Sequence, residues 1–232
     1  MGKSIIQQAR GRGGPRYRVR RSAFNVLPRY PTELNGEWEV VKLISSAGHT
    51  APVSKLKNKE GKIFFALAGD NLFEGQKIMI NRHENNDIAK IGDLKNGTKI
   101  FNLEARPKDG GKLIRSGGNF AEILNKRGEE TVVLMPSKQE KIFSVNCRAT
   151  IGKSAGAGRL DKPILKAGKQ YYIKKAKSKL WPRTSAVKMN AVDHPFGSGR
   201  GKRPKSKIAK RMAPAGRKVG LLRPRRTGRR KK

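Results

Sequence analysis

Hydrophobic positions along this chain gather in short stretches of β-forming residues, set apart by Gly, Asn and Asp. Glu37 to Ile44, Ile63 to Ala68 and Gln76 to Ile80 read as strands on that basis. A second group opens with Ile88 to Leu94, then Asn96-Gly97, then Thr98 to Leu103. Asn-Gly between two apolar runs predicts a type I′ hairpin, because both central positions of that turn need positive φ. Phe120 to Leu124, Thr131 to Met135 and Lys141 to Val145 follow, the last two joined by the polar stretch Pro136 to Gln139. Strands this short and this closely spaced predict two antiparallel barrels in tandem, with a boundary near Asn85-Asn86. A 3.6-residue period is weak and confined to the surroundings of Lys169 to Lys179, so helix content should be low.

The two ends follow no such pattern. From Met1 to Tyr30 the chain interleaves Arg10, Arg12, Arg16, Arg18, Arg20 and Arg21 with Gly, Pro and aromatics, and has no apolar period. After Gly152 it turns to Gly, Pro, Lys and Arg with isolated aromatics at Tyr171, Tyr172, Trp181 and Phe196. Such a segment buries too little apolar area to offset its ordering entropy, so it is expected to order only along a partner.

Charge sharpens the division. The 232 residues carry a formal net charge of +37. Residues 1–32 hold 8 Lys+Arg and no acid, 33–145 hold 18 Lys+Arg and 15 acids, and 146–232 hold 28 Lys+Arg and 2 acids. The middle is nearly neutral and suited to a core, whereas the ends repel themselves and require an outside polyanion. The longest apolar run, Ile63 to Ala68, is far below the roughly 20 residues of a membrane helix. No membrane partner is expected, and the amino terminus lacks the apolar core of a signal peptide. The single cysteine, Cys147, suits a reducing cytosol.

Enzyme motifs fail on their own requirements. Gly152-Lys153-Ser154 ends like a phosphate loop, but Cys147 stands where its first glycine is needed. Gly156, Gly158 and Asp161 miss the third glycine of a dinucleotide fingerprint. Cys147, His49, His83 and His194 have no metal-ligand spacing, so no metal or cofactor is expected. Asp193 and His194 are adjacent, so their side chains tend to diverge, and no nucleophile elbow accompanies them. The chain is read as no enzyme. Arginine interleaved with glycine and aromatics threads irregular RNA and stacks on bases, whereas proteins that read DNA grooves usually present a helix.

Several motifs carry a family resemblance. Cys147-Arg148-Ala149-Thr150-Ile151-Gly152, Lys166-Ala167-Gly168, Trp181-Pro182-Arg183 and Met189-Asn190-Ala191-Val192-Asp193-His194-Pro195 resemble the universal large-subunit ribosomal protein family number two. Ala213 to Gly220, which includes Arg217 and Lys218, and Arg225-Arg226-Thr227-Gly228 are similar to its archaeal and eukaryotic branch. The resemblance is specific from Gly92 onward and looser from Lys3 to Asp87. It implies a mainly β chain with an OB-like barrel followed by an SH3-like barrel, and long basic extended arms at both termini. The corresponding segments are a basic arm over 1–32, the first barrel over 33–85, the second over 86–165, and a basic extension with an rRNA-penetrating loop over 166–232.

The resemblance also implies a structural role in translation: primary binding of large-subunit rRNA, support of subunit association and tRNA positioning, and arms reaching the peptidyl transferase region. Implied partners are neighbouring large-subunit proteins and small-subunit rRNA through an intersubunit bridge, with no homo-oligomer, in the cytoplasm. Beyond the arginines of the first arm, Arg148, Lys153, Arg159, Lys175, Trp181 and Arg183 are expected at rRNA between barrel and tail. Asn190, Asp193, His194, Gly197, Gly199 and Arg200 form the motif loop. Phe196 and Ser198 depart from the family pattern, which reads His and Gly there, so His194 is the loop's one remaining titratable imidazole. A non-specific nucleic-acid packing protein is the alternative reading of the same charge.

Overall fold

The computed structural model describes residues 2–198 and 208–222. Strand β1 (Glu37–Ile44) buries Trp38 and Val40 and turns Glu39 and Val41 to solvent, the alternation that a half-buried strand requires. It pairs antiparallel with β2 (Val53–Asn58) on one side and β4 (Lys77–Met79) on the other, while β3 (Ile63–Leu67) pairs with β2. The resulting order is β3-β2-β1-β4. A register shift between Val40 and Lys42 bends β1 over its core. There Trp38 and Phe64 meet edge to face, with centroids 4.7 Å apart.

The second sheet contains β5 (Ile88–Lys90), β6 (Lys99–Phe101), β7 (Ala121–Arg127), β8 (Glu130–Leu134), β9 (Glu140–Ser144) and β10 (Arg148–Ile151). Its order is β5-β10-β6-β7-β8-β9, so the last strand in sequence lies between the first two. This corrects the hairpin expected at Asn96-Gly97. Gly97 alone of the pair has positive φ, at +80°, and β5 and β6 each pair with β10 rather than with one another. The sequence pattern missed β10 and β2. Both have a mixed composition and bury polar side chains, as Ser54 and Thr150 illustrate, so their hydrophobic pattern is broken. The polar turn expected between β8 and β9 is present.

The two sheets interlock. Ala51, Val53 and Leu67 pack into the second core with Phe101 and Val133, whereas Ile88 packs into the first with Trp38 and Leu56. Between the sheets, the buried Asp87 accepts the Met79 and Glu84 amides at 2.9 and 3.1 Å and Arg82 Nε at 3.0 Å. Residues 20–169 accordingly form one compact unit.

Cys147 is fully buried in that unit, and burial, followed by the charges of Glu104 and Asp109, pushes its thiol up to about 11. The native chain at pH 8 is therefore expected to resist thiol alkylation, while the denatured chain reacts completely. A native protein labelled as fast as a denatured one would contradict the buried position. Folding raises this pKa, so the thiol's contribution to stability is complete below its ordinary 9.0 and is lost as pH rises through about 11.

Residues 1–19 and 170–232 supply a second unit. Its described part holds helix α1 (Ile6–Gly11) and a two-residue parallel pair, β11 (Ile208–Ala209) with β12 (Leu221–Leu222). Helix α2 (Ala167–Ala176) runs into it and buries none of its residues. Local order here, unexpected from the pattern, comes mainly from backbone bonding and not from apolar burial. Lys3 N donates to Val192 O at 2.8 Å, and Ser178 Oγ donates to Arg18 O. At α1 the Ile5 amide donates to Gln8 Oε1 at 2.9 Å, which satisfies one helix-end donor.

Candidate nucleic-acid interface

The motif loop is built from a set of short-range bonds. Asn190 O accepts the amides of Asp193 and His194, His194 O accepts that of Gly197, and Met189 O accepts that of Ser198, at 2.9 to 3.2 Å. Ser198 Oγ also accepts the Ala191 amide at 2.9 Å, which ties the loop's exit to its entry. His194 is buried, and its Nδ1 accepts the Phe196 amide at 3.0 Å. As an acceptor, that nitrogen carries no proton, so Nε2 is the ring's donor. The rings of His194 and Phe196 lie 5.3 Å apart. The imidazole is thus fixed by its own loop, and Phe196 completes its packing.

Gly197 has no room for a side chain. A Cβ there would overlap the carbonyl group of Asn190 and lie 2.6 Å from Met189 O, all of it backbone. Asp193, which is exposed, approaches Lys3 Nζ at 4.0 Å. Gly2 also rests on the loop, since a Cβ at this position would stand 3.1 Å from Val192 O. Nothing in the sequence tied Gly2 or Lys3 to the loop, since the contacts, a close approach to the Val192 carbonyl and the Lys3–Asp193 pair, join positions about 190 residues apart.

A cavity of about 550 Å³ collects several of the expected residues: Arg10, Arg16, Arg183, Asp193 and His194 line it, together with Pro182 and Met189. Arg12 is exposed, and so is Arg18, whose Nε donates to Gly13 O at 2.8 Å. Arg20 is exposed, and Arg21 begins a 3-10 turn, Arg21–Ala23. Trp181 is half-buried and joined to Pro182 by a cis peptide bond. Lys175 Nζ lies 5.6 and 5.9 Å from the ring centres of Tyr171 and Tyr172. Arg159, Arg217 and Lys218 are exposed, and Asn190 is exposed at the loop's entry. Gly199, Arg200, Arg225 and Arg226 lie outside the described residues.

Arg148 has a different setting. Its Nη2 and Nε donate to Glu104 Oε1 at 2.6 and 3.1 Å, and its Nη1 donates to Pro31 O at 2.9 Å. The guanidinium is an internal clasp. Close by, the buried Tyr30 hydroxyl bonds Thr150 Oγ1 at 2.6 Å, and burial pushes its pKa up. Among the described residues no group of three His, Cys, Asp or Glu side chains could hold a metal ion.

Charge also divides between the two units. Residues 20–169 hold 27 Lys+Arg and 16 acids, whereas residues 1–19 and 170–232 hold 27 Lys+Arg and the single acid Asp193. A mainly β scaffold joined to a unit almost wholly cationic defines a class, that of basic proteins associated with nucleic acid. Comparison with known proteins narrows it. The family model described as Ribosomal Proteins L2, C-terminal domain, matches residues 84–216. A protein of Hyperthermus butylicus is 42% identical over 238 residues, covering 100% of both chains. One of Archaeoglobus fulgidus is 40% identical, covering 98% of this chain and 99% of its own, and one of Korarchaeum cryptofilum is 36% identical, covering 100% and 98%. All three are named large ribosomal subunit protein uL2. The chain belongs to the ribosomal protein L2 family, in its archaeal type.

Proposed function

We propose that this protein is a structural constituent of the large ribosomal subunit in the cytoplasm, acting in translation as a primary rRNA binder and not as an enzyme. The observation that carries the reading is the cationic unit, with 27 Lys+Arg against one acid, organised around a loop whose histidine is held by its own backbone. The β unit, with its proposed barrels over 33–85 and 86–165, folds on its own core and offers a defined surface. The arms then neutralise phosphates in the RNA, where glycine permits close approach and arginine spans neighbouring phosphates.

On this reading Arg10, Arg16 and Arg183 act together from one cavity, while Arg12, Arg18, Arg159, Arg217 and Lys218 reach phosphates from exposed positions. Lys175 with Tyr171 and Tyr172 forms a stacking platform for bases. The loop supports tRNA positioning, subunit association and the peptidyl transferase region by shape and not by proton transfer. Partners are large-subunit rRNA, adjacent large-subunit proteins and small-subunit rRNA at a bridge. Arg148 acts indirectly, by holding the β unit together.

The test is binding of the purified protein to large-subunit rRNA in a salt series, with duplex DNA and unrelated RNA as competitors. Six to ten neutralised phosphates would lower affinity about 10³- to 10⁵-fold between 50 and 200 mM salt. Binding to the cognate RNA is expected to outlast both competitors. Loss of all three on a single slope would replace the reading with non-specific packing.

A further inference from the structure

A second cleft lies wholly within the β unit, far along the sequence from the motif loop. It measures about 410 Å³, and its walls include Asn71, Asn85, Thr98, Lys99, Gly152 and Lys153. At its rim Lys99 Nζ and Lys153 Nζ stand 5.1 and 5.3 Å from the centre of a single ring, that of the half-buried Phe120. Phe120 and Lys99 carry no motif signal in the sequence. The ring attracts each ammonium through its quadrupole, yet gathering two like charges around one ring is unfavourable unless an anion joins them.

No anion among the described residues does so. Neither lysine forms an ion pair among the described residues, although Asp70 lines the same cleft and Glu122 stands opposite Lys99 in the β6–β7 ladder. The backbone beneath is fixed. Gly152 N donates to Lys99 O at 2.7 Å, and Asp70 N donates to Lys153 O at 2.8 Å. Gly152 has φ of +109°, and a Cβ there would come within 2.8 Å of Asn85 Oδ1, so the floor accepts only glycine. The arrangement is a pair of cations positioned on a rigid base, with amide side chains beside them.

We infer that the Lys99–Phe120–Lys153 cleft binds a phosphodiester of a single-stranded RNA segment, with both ammonium groups on the phosphate oxygens and the Asn71 and Asn85 amides available to the attached nucleoside. This rests on the reading of the chain as an rRNA binder and adds a contact site in the β unit, separate from the cationic unit. The one phosphate held by the two lysines contributes about 0.7 to the slope of log affinity against log salt for single strands.

The experiment compares the full chain with a K99Q/K153Q double variant and a K138Q/K141Q control, whose neutralised lysines are exposed in and before β9. Binding of each to large-subunit rRNA is measured across salt. The cleft variant is expected to lose about 0.7 from the slope and the control to keep it; equal slopes for cleft variant and wild type would overturn the site. A wild type that fails to prefer the rRNA overturns the functional reading itself, so the two failures are distinct. Retained protection of Cys147 from alkylation verifies that each variant is folded. Inorganic phosphate, followed through the Gly152 amide resonance, separates the sources. A shift at Gly152 with an unchanged RNA slope would mean that the cleft takes free phosphate, which also overturns the RNA assignment.

Discussion

A Glu104→Ala protein is expected to lose about 3–5 kcal/mol of folding stability, the cost of removing one partner from a buried ion pair. Glu104 is 0% exposed, and it accepts the Gly110 amide at 3.0 Å and the Lys108 and Arg148 amides at 3.2 and 2.9 Å besides the Arg148 guanidinium. Without the carboxylate, three amides lose their acceptor, and a guanidinium whose side chain is 11% exposed keeps its charge with only carbonyl partners. Urea unfolding followed by tryptophan fluorescence reads the change as a lower midpoint at constant slope. Adding Arg148→Met to Glu104→Ala should recover part of the loss, since the unpaired charge is then gone. A single variant within 1 kcal/mol of wild type would contradict the clasp.

The second large effect is expected at Gly197→Val. The new side chain meets the backbone of Asn190 and Met189, which cannot swing aside, so the loop must open at its Ser198–Met189 closure. Overpacking of this kind costs about 1–3 kcal/mol locally. The bond from the Phe196 amide to His194 Nδ1 should be lost, and the His194 ring resonances should move to solvent-exposed positions. Subunit function should fall severely while rRNA affinity changes little, because no cation is removed. His194→Gln, which keeps an acceptor without an imidazole, should retain most function. If His194→Gln instead abolished function and left the loop closed, proton transfer by this residue would have to be reconsidered.

The sequence made β1 legible at its observed bounds, because Trp38 and Val40 alternate with outward residues along one uninterrupted run. It misread the Asn96-Gly97 turn because local turn chemistry says nothing of a competing partner, and β10, about fifty residues later, supplies one. Arg148 illustrates the same limit at the site. Its residue type and motif suggest a phosphate ligand, but its carboxylate partner lies 44 residues away and becomes visible only in the fold. His194 stood out as an island in a basic tail, and the structure supplies the reason it is held in place. Phe120 had no signal at all, since two lysines distant in sequence converge on it only after β6 and β10 become neighbours.

The strand order β5-β10-β6 imposes a timetable on synthesis. When β5 and β6 have left the ribosome that makes this chain, their shared partner has not been translated, and both strands wait with unpaired edges. About sixty residues separate the end of β5 from the end of β10, or roughly 3–12 s of elongation at 5–20 residues per second. Lys3 waits longer still, for a carbonyl at Val192. A newborn copy therefore presents its arginine-rich beginning, for most of its synthesis, to whatever anionic surface is nearest, and the nearest is the ribosome producing it.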